Sequence, residues 1–112
     1  MGTGIYLVLI TAPAGEAAQR LADTLVREGL AACVNRVPTV HSTFRWKGAV
    51  QREPEDLLLV KLPGGKLEEL KERLPRLHPY EVPELLAFEV SEGLASYLDW
   101  VRETVAEDEP SR

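Results

Sequence analysis

The sequence predicts an α+β domain, a ferredoxin-like split βαβ sandwich with an extended β-hairpin and an extra C-terminal helix. Three observations predict it. Short apolar runs rich in strand-forming residues alternate with stretches of helical periodicity. The pair Lys47-Gly48 is a two-residue turn signal between two long extended segments. A last helical pattern follows the final strand. The order strand, helix, strand, strand, helix, strand, helix places the helices on one face of an antiparallel sheet.

The first quarter of the chain predicts a central strand followed by a helix. Residues 5–10, IYLVLI, are apolar on both faces, which is typical of a strand that is covered on both sides. Residues 16–28 follow with one apolar helical face, made by Ala18, Leu21, Ala22, Leu25 and Val26. Gly29 stands where a left-handed residue ends a helix.

The middle of the chain predicts a hairpin that is longer than one small domain needs. Residues 31–37 form its first strand, and Pro38 predicts an edge or a bulge because proline cannot donate to a strand ladder. Residues 40–46 resume the extended pattern. Residues 49–51 begin the return strand, and residues 57–62, LLLVKL, are its buried end.

The last part of the chain predicts a helix, a strand and a second helix. Residues 66–73 have helical spacing, and Pro75 should end or kink this helix. Residues 85–90 read as a buried strand and residues 92–106 as the extra helix with an apolar stripe. Residues 107–112 are acidic and predict a frayed tail.

Composition limits the class of protein. The chain has 112 residues, which predicts one domain over residues 1–112. Its net charge of −5 argues against a nucleic-acid partner or an anionic membrane, since both need a basic face. The single cysteine excludes an intrachain disulfide, and no apolar run approaches a membrane span, so we predict a cytoplasmic protein. The 28% charged residues and eight prolines fit a heat-adapted source.

The segment 78–93, HPYEVPELLAFEVSEG, is the strongest candidate for one wall of a site. His78 and Val82 each precede a proline, which favours extended backbone geometry. The entry to this segment also carries Tyr80, Glu81 and Glu84, the densest set of polar and aromatic side chains in the chain. A stiff loop of this kind holds its side chains in place before a ligand arrives.

Several sequence blocks resemble signatures of the CutA family. They are TAP at 11–13, LAACVN at 30–35, FRWKG at 44–48, HPYEVPELLAFEVSEG at 78–93 and YLDW at 97–100. The resemblance covers nearly the whole chain. It implies a homotrimer in which long hairpins extend the sheets from one subunit to the next. It also implies a role in tolerance of divalent cations, with copper binding in some members.

The resemblance implies a metal site that this chain retains only in part. Copper ligands in some members are a cysteine in the first strand and two adjacent histidines before a Pro-Tyr pair, whereas here these positions are Ile10 and Leu77-His78. Cys33 and His78 remain as soft-metal ligands, which suits copper or another divalent cation bound weakly, with no cofactor required. Alternatively, Cys33 is a small apolar residue on a buried strand face, and His78 bonds locally within its loop.

A second set of residues predicts a ligand cleft between subunits. Lys61 interrupts the apolar run LLLVKL, so its charge either leads out at the strand end or lines a pocket. With Trp46, Tyr80 and Glu84 it would frame a cleft for an anion or a metabolite. Trp46 alternatively serves as a packing or interface anchor. Gly64-Gly65-Lys66 lacks the full spacing of a phosphate loop and predicts only a helix start.

Three functional hypotheses follow. The first is a cytoplasmic, non-enzymatic homotrimer that binds metal ions weakly and contributes to metal tolerance. The second, by analogy of fold, is a trimeric signalling module of the PII type that binds a nucleotide or a small anionic metabolite between subunits. The third is an enzyme with a site around Lys61, Tyr80 and Glu84. Because no nucleophile and base stand in a recognisable motif, we favour the first.

Overall fold

The computed structural model describes residues 2–106, so the predicted tail at 107–112 lies outside the described residues. Seven main elements follow one another along the chain. They are β1 (Ile5–Pro13), α1 (Glu16–Arg27), β2 (Cys33–Trp46), β3 (Ala49–Pro63), α2 (Leu67–Leu77), β4 (Leu86–Glu89) and α3 (Ala95–Ala106). A short 3-10 turn, Gly64–Lys66, leads into α2.

The four strands form one sheet in the order β2-β3-β1-β4, and each neighbouring pair is antiparallel. The two split βαβ units interleave, because β3 lies between β1 and β2 while β1 lies between β3 and β4. This arrangement confirms the predicted ferredoxin-like α+β fold with a long hairpin and an additional helix.

The main core lies between one sheet face and the helices α1 and α2. Alternation along β1 and β3 sends every second side chain to this face. The fully or nearly fully buried residues of this core include Val8, Ile10, Ala12, Leu21, Leu25, Leu58, Val60, Leu62, Leu70 and Leu74. Each large aliphatic side chain buried here contributes roughly 1.5–3 kcal/mol of transfer free energy. The sheet and both helices are therefore held together by one continuous apolar layer.

The end of α1 matches its sequence signal. Gly29 has a φ of 72°, the left-handed value predicted for this position. Its N–H donates to the Val26 carbonyl, and the N–H of Leu30 donates to the Leu25 carbonyl. These two bonds satisfy carbonyls that the helix leaves without an internal partner.

The hairpin is more continuous than the sequence predicts. A register shift lies between Val37 and Val40, and β2 is an edge strand of the subunit, so both expectations for Pro38 are confirmed. The return strand β3 is a single strand of 15 residues rather than two pieces. Pro54 is tolerated because the pairing with β1 stops at Glu55, which leaves β3 with one neighbour at that point.

Three predicted bounds need correction. Helix α2 runs to Leu77 and contains Pro75, because the last turn of a helix can lose one backbone bond without ending. Helix α3 begins at Ala95 rather than at residue 92. Strand β4 has only four residues, all of them exposed, where a buried strand over residues 85–90 was expected. It lies at the sheet edge beside β1 alone, and such an apolar run has the same sequence pattern as a buried strand.

The opposite face of the sheet, which we call the open sheet face, is covered only in part. The expectation that the helices share one face of the sheet is wrong for α3, which lies on this face. Helix α3 covers one end, where Val101 and Val105 pack against Ile5 and Ala32. Beyond that end, alternation and register place a strip of partly or fully exposed apolar side chains. The strip consists of Leu7, Leu9, Val37, Leu57, Leu59, Leu86 and Phe88.

Candidate functional site

A cleft of about 720 Å³ lies at the end of the open sheet face that is farther from α3. One wall is the hairpin arm, which we define as residues 40–55. The other wall is the loop at residues 79–84. Its lining consists of Thr11, Ser42, Thr43, Phe44, Trp46, Gln51, Glu53, Glu55, Pro79, Tyr80, Glu81, Val82 and Glu84.

The hairpin register determines which side chains reach the cleft from the arm. Ser42 pairs with Glu53, and Phe44 pairs with Gln51, so these four side chains share one face of the two-stranded ribbon. Trp46 follows two residues after Phe44 and adds its indole to the same face. Alternation therefore concentrates acidic and aromatic groups on the side that faces the loop.

His78 anchors the loop to the sheet. Its ring is 6% exposed, and its Nε2–H donates to the backbone carbonyl of Thr11 at 2.7 Å. The other ring nitrogen, Nδ1, accepts the N–H of Tyr80 at 3.1 Å. Both ring nitrogens are therefore occupied by hydrogen-bond partners, and neither is free for a metal. The bond to Tyr80 is the local bond of the alternative interpretation, whereas the bond to Thr11 joins the loop to β1.

Tyr80 connects the loop to the hairpin arm. Its hydroxyl donates to Glu55 Oε2 at 2.7 Å, and the Ser42 hydroxyl donates to Glu55 Oε1 at 2.5 Å. Burial, followed by the bond to Glu55, raises the pKa of Tyr80 well above its usual range. The phenol is therefore a hydrogen-bond donor at neutral pH. On the same wall, Thr11 Oγ1 lies 3.5 Å from Glu84 Oε1.

The cleft carries negative charge that the subunit does not balance. Glu53, Glu55, Glu81 and Glu84 line it, and among the described residues no lysine or arginine does. Within residues 2–106, none of these four carboxylates takes part in an ion pair. A concave site with one sign of charge raises the local concentration of ions of the opposite sign. The arrangement therefore attracts cations.

Lys61 does not lie at this cleft within the subunit. It pairs with Cys33 and Leu7, and its ammonium donates to Asn35 Oδ1 and lies 3.9 Å from Cys33 Sγ. Thr11, at the cleft, is four residues farther along β1, which corresponds to about 13 Å of strand. The subunit thus brings Trp46, Tyr80 and Glu84 to one cleft and leaves Lys61 near the strand end.

Cys33 and His78 also lie apart. Cys33 is beside Lys61, and His78 is bonded to Thr11, so the same strand distance separates them. Near Cys33, burial and the adjacent sulfur raise the pKa of Tyr97. Within the described part of the chain, no cluster of three metal-ligating side chains exists. One subunit therefore does not unite the two predicted metal ligands, and the prediction that each binds metal stays a prediction.

Sequence reasoning missed most of the hairpin wall. Ser42, Phe44, Glu53 and Glu55 were not selected, although a signal for them exists. A two-residue turn at Lys47-Gly48 pairs Trp46 with Ala49 and fixes every later pair along the arm. Counting outward from that turn places these side chains on the face of Trp46.

A family model described as CutA1 divalent ion tolerance protein matches residues 6–104. The chain belongs to this CutA1 family. A divalent-cation tolerance protein CutA from Thermus thermophilus is 52% identical over 97 residues, which cover 87% of this chain and 94% of the relative. The family assignment confirms the resemblance drawn from the sequence blocks.

Solved CutA structures have the same fold. The divalent cation tolerance protein from Thermus thermophilus superposes with a TM-score of 0.85 at 50% identity, covering 89% of this chain and 97% of that one. A structure described as the PII-like protein CutA from Nostoc, in apo form, gives a TM-score of 0.83 at 40% identity and covers 89% and 96% of the two chains.

Family membership makes this chain a divalent-cation tolerance protein in the broad sense of the family description. The Thermus relatives are named as tolerance proteins rather than as enzymes. Between residues 2 and 106, no helix is both long enough and apolar enough to cross a membrane.

Proposed function

We propose that this CutA-family protein is a cytoplasmic homotrimer that contributes to tolerance of divalent cations by binding them weakly, without catalysis. The observation that carries the proposal is the cleft, which residues 2–106 line with four glutamates and no basic side chain. Carboxylate oxygens suit hard and borderline divalent cations. Because the described residues hold no cluster of three ligands, the expected binding is weak.

The cleft is a better cation site than either residue predicted from the sequence. The Lys61 ammonium, 3.9 Å from Cys33 Sγ, repels a metal ion that approaches the thiol. At His78 a metal would have to displace a backbone partner from one ring nitrogen. Cys33 and His78 therefore serve as the competing sites in the experiment below.

The proposed trimer is supported by the strip on the open sheet face. Its apolar side chains run across all four strands, and the hairpin arm projects beyond the end of β1. A contiguous apolar surface of this kind marks an association site. A copy of the same chain would cover the strip and give the arm a neighbour.

The second hypothesis, a PII-type module, draws support from the description of the Nostoc relative as PII-like. The carboxylate lining works against it, since an anionic ligand would meet four negative side chains within the subunit. A stabilising thermal shift with nucleotides but not with metals would support this hypothesis. The third hypothesis, an enzyme, needs Lys61, Tyr80 and Glu84 at one site. Within one subunit, Lys61 lies away from Tyr80 and Glu84.

Titration calorimetry with Mn²⁺, Zn²⁺ and Cu²⁺ on chelator-stripped protein tests the cleft. Each lost carboxylate removes on the order of 1 kcal/mol of attraction, so the double variant Glu53→Gln/Glu84→Gln should bind about thirtyfold more weakly. The matched control, Glu72→Gln/Glu103→Gln, removes the same charge from exposed helix positions and should bind like the wild type.

Two further variants decide between the sites. Cys33→Ala and His78→Gln should leave metal affinity unchanged. If Cys33→Ala abolishes binding while the glutamate variants bind normally, the metal is held at Cys33 and the cleft proposal is wrong. A Cu(I) titration of Cys33→Ala tests in the same way whether a soft metal ion binds at the thiol of Cys33.

A further inference from the structure

The cleft has two properties that a bound metal ion would not use. Its volume of about 720 Å³ is that of a site for a small organic molecule. Its lining also includes the aromatic rings of Phe44, Trp46 and Tyr80, together with the apolar Val82. A divalent cation needs oxygen ligands, whereas rings and methyl groups contact carbon.

Glu55 is a buried carboxylate that no other residue of the described range 2–106 pairs as a counter-ion. It is 6% exposed and accepts hydrogen bonds from two hydroxyl groups, but no cationic group pairs with it among the described residues. Its neighbour Asp56 is also buried and is paired with Arg36 at 2.6 Å. Buried charges are normally paired. The contrast between the two adjacent acids indicates that a cation from outside the subunit fold pairs with Glu55 on the cleft side.

Trp46 already makes a cation–π contact. The ammonium of Lys47, which does not line the cleft, lies 5.7 Å from the centroid of the Trp46 ring. Rings of this kind attract ammonium groups through their negative faces. The indole that lines the cleft therefore accepts an organic cation.

We infer that the cleft binds organic ammonium ions, in particular primary diamines with a short carbon chain. The ammonium groups meet the carboxylates around Glu55, and the carbon chain lies along Phe44, Trp46 and Val82. The inference rests on the same cleft as the proposed function and extends its ligands from metal ions to organic cations. The two ligand classes differ in one respect, because only the organic cation uses the aromatic wall.

Calorimetry on the assembled, chelator-stripped protein tests the inference with 1,4-diaminobutane as the probe. The uncharged analogue 1,4-butanediol should release no heat. Trp46→Leu should weaken diamine binding by about tenfold and leave Mn²⁺ binding unchanged. Trp100→Leu is the matched control, since Trp100 is on α3 outside the cleft, and it should bind the diamine like the wild type.

Two further variants test the roles of the aromatic wall and of the carboxylates in diamine binding. Phe44→Leu removes a second ring and should weaken diamine binding in the same direction if Trp46→Leu fails to assemble. Glu55→Gln should weaken both the diamine and Mn²⁺, because it removes charge that both ligands use.

The outcomes separate the two proposals. Mn²⁺ binding without diamine binding overturns the inference and leaves the proposed function intact; this is also the result expected if a neighbouring subunit's lysine fills the place beside Glu55. Diamine binding that is equal in the wild type and in both ring variants also overturns it, since the carboxylates alone would then be acting. Absence of binding by either cation overturns both proposals.

Discussion

Glu55 and Asp56 are adjacent acids that leave β3 on opposite faces and meet opposite surroundings. Asp56 Oδ2 accepts the N–H of Gly15 at 2.9 Å and the guanidinium of Arg36 at 2.6 Å. The Gly15 N–H and Arg36 together outweigh burial and hold the pKa of Asp56 below its ordinary value of 3.8. This one side chain thus connects the β1–α1 turn to β2 and β3.

The lowered pKa of Asp56 predicts a loss of stability in acid. A carboxyl with a depressed pKa in the folded state stabilises the protein fully above its unfolded pKa of 3.8, and this stabilisation disappears as the pH falls through the folded value. Asp56→Asn should therefore lower the free energy of unfolding by about 2 kcal/mol at pH 7. The deficit should shrink below pH 4. Urea unfolding across pH measures it, and a deficit that is constant with pH would contradict the linkage.

His78 predicts a second residue-scale effect, and the chain offers a natural control. His78→Ala removes hydrogen bonds to Thr11 and Tyr80 from a buried position, so it should lower the free energy of unfolding by about 2 kcal/mol. His41→Ala changes the only other histidine, which is exposed, and should have almost no effect. Equal urea midpoints for the two variants would show that the His78 bonds do not anchor the loop.

Residue partners are the part of the site that the sequence predicts least. The ring of His78 bonds to Thr11, which is 67 positions away in the chain. The pairing follows from the sheet order, which places β1 beside the loop, and no local pattern contains it. The sequence places Lys61 within the apolar run of β3, but the run alone does not give its position relative to the neighbouring strands. Register against β1 and β2 decides that it lies with Cys33 instead of with Tyr80.

At the scale of elements, hydrophobic periodicity predicted the described strands and helices, because the spacing of apolar residues differs between a strand and a helix. The errors in predicted bounds and burial occur where two different structures share one sequence pattern. The apolar run in β4 suits a buried strand and an exposed edge strand equally well. The return strand was predicted as two pieces, residues 49–51 and 57–62, although β3 continues through Pro54, where one side of the strand has no neighbour. The sequence singled out the loop that forms one wall of the cleft, and the hairpin wall could also be predicted by counting from the turn at Lys47-Gly48. That the two walls face each other follows from no local pattern.

The hairpin arm predicts an effect of truncation. The arm extends beyond β1 and exposes Phe44 and Val50, which are 39% and 59% accessible. A two-stranded ribbon with exposed apolar groups is an unstable edge unless a second chain covers it. Shortening the arm around residues 44–50 should convert the proposed trimer to monomers or aggregates in light-scattering measurements. A trimer that survives truncation would remove the arm from the interface.

At the scale of the whole molecule, the open sheet face predicts that stability depends on assembly. Phe88 is 52% exposed on this face, and Phe88→Glu should reduce the mass measured by light scattering. Val26→Glu is the matched control, because Val26 lies on α1, which packs against the other face, and is 40% exposed. The wild-type melting temperature should rise with protein concentration, since unfolding is then coupled to dissociation. A concentration-independent melting temperature would contradict the coupling.

The shortness of β4 has a consequence for the chain as it leaves the ribosome. Before it meets its copies, each new chain presents the outer strands β2 and β4 as sheet edges, and a long regular edge is a template for unlimited polymerisation. The β4 edge offers a ladder of only four residues. The β2 edge is interrupted by the register shift between Val37 and Val40. Neither edge can template a long ladder, so the nascent chain has time to find its specific partners before fibrous assemblies can grow.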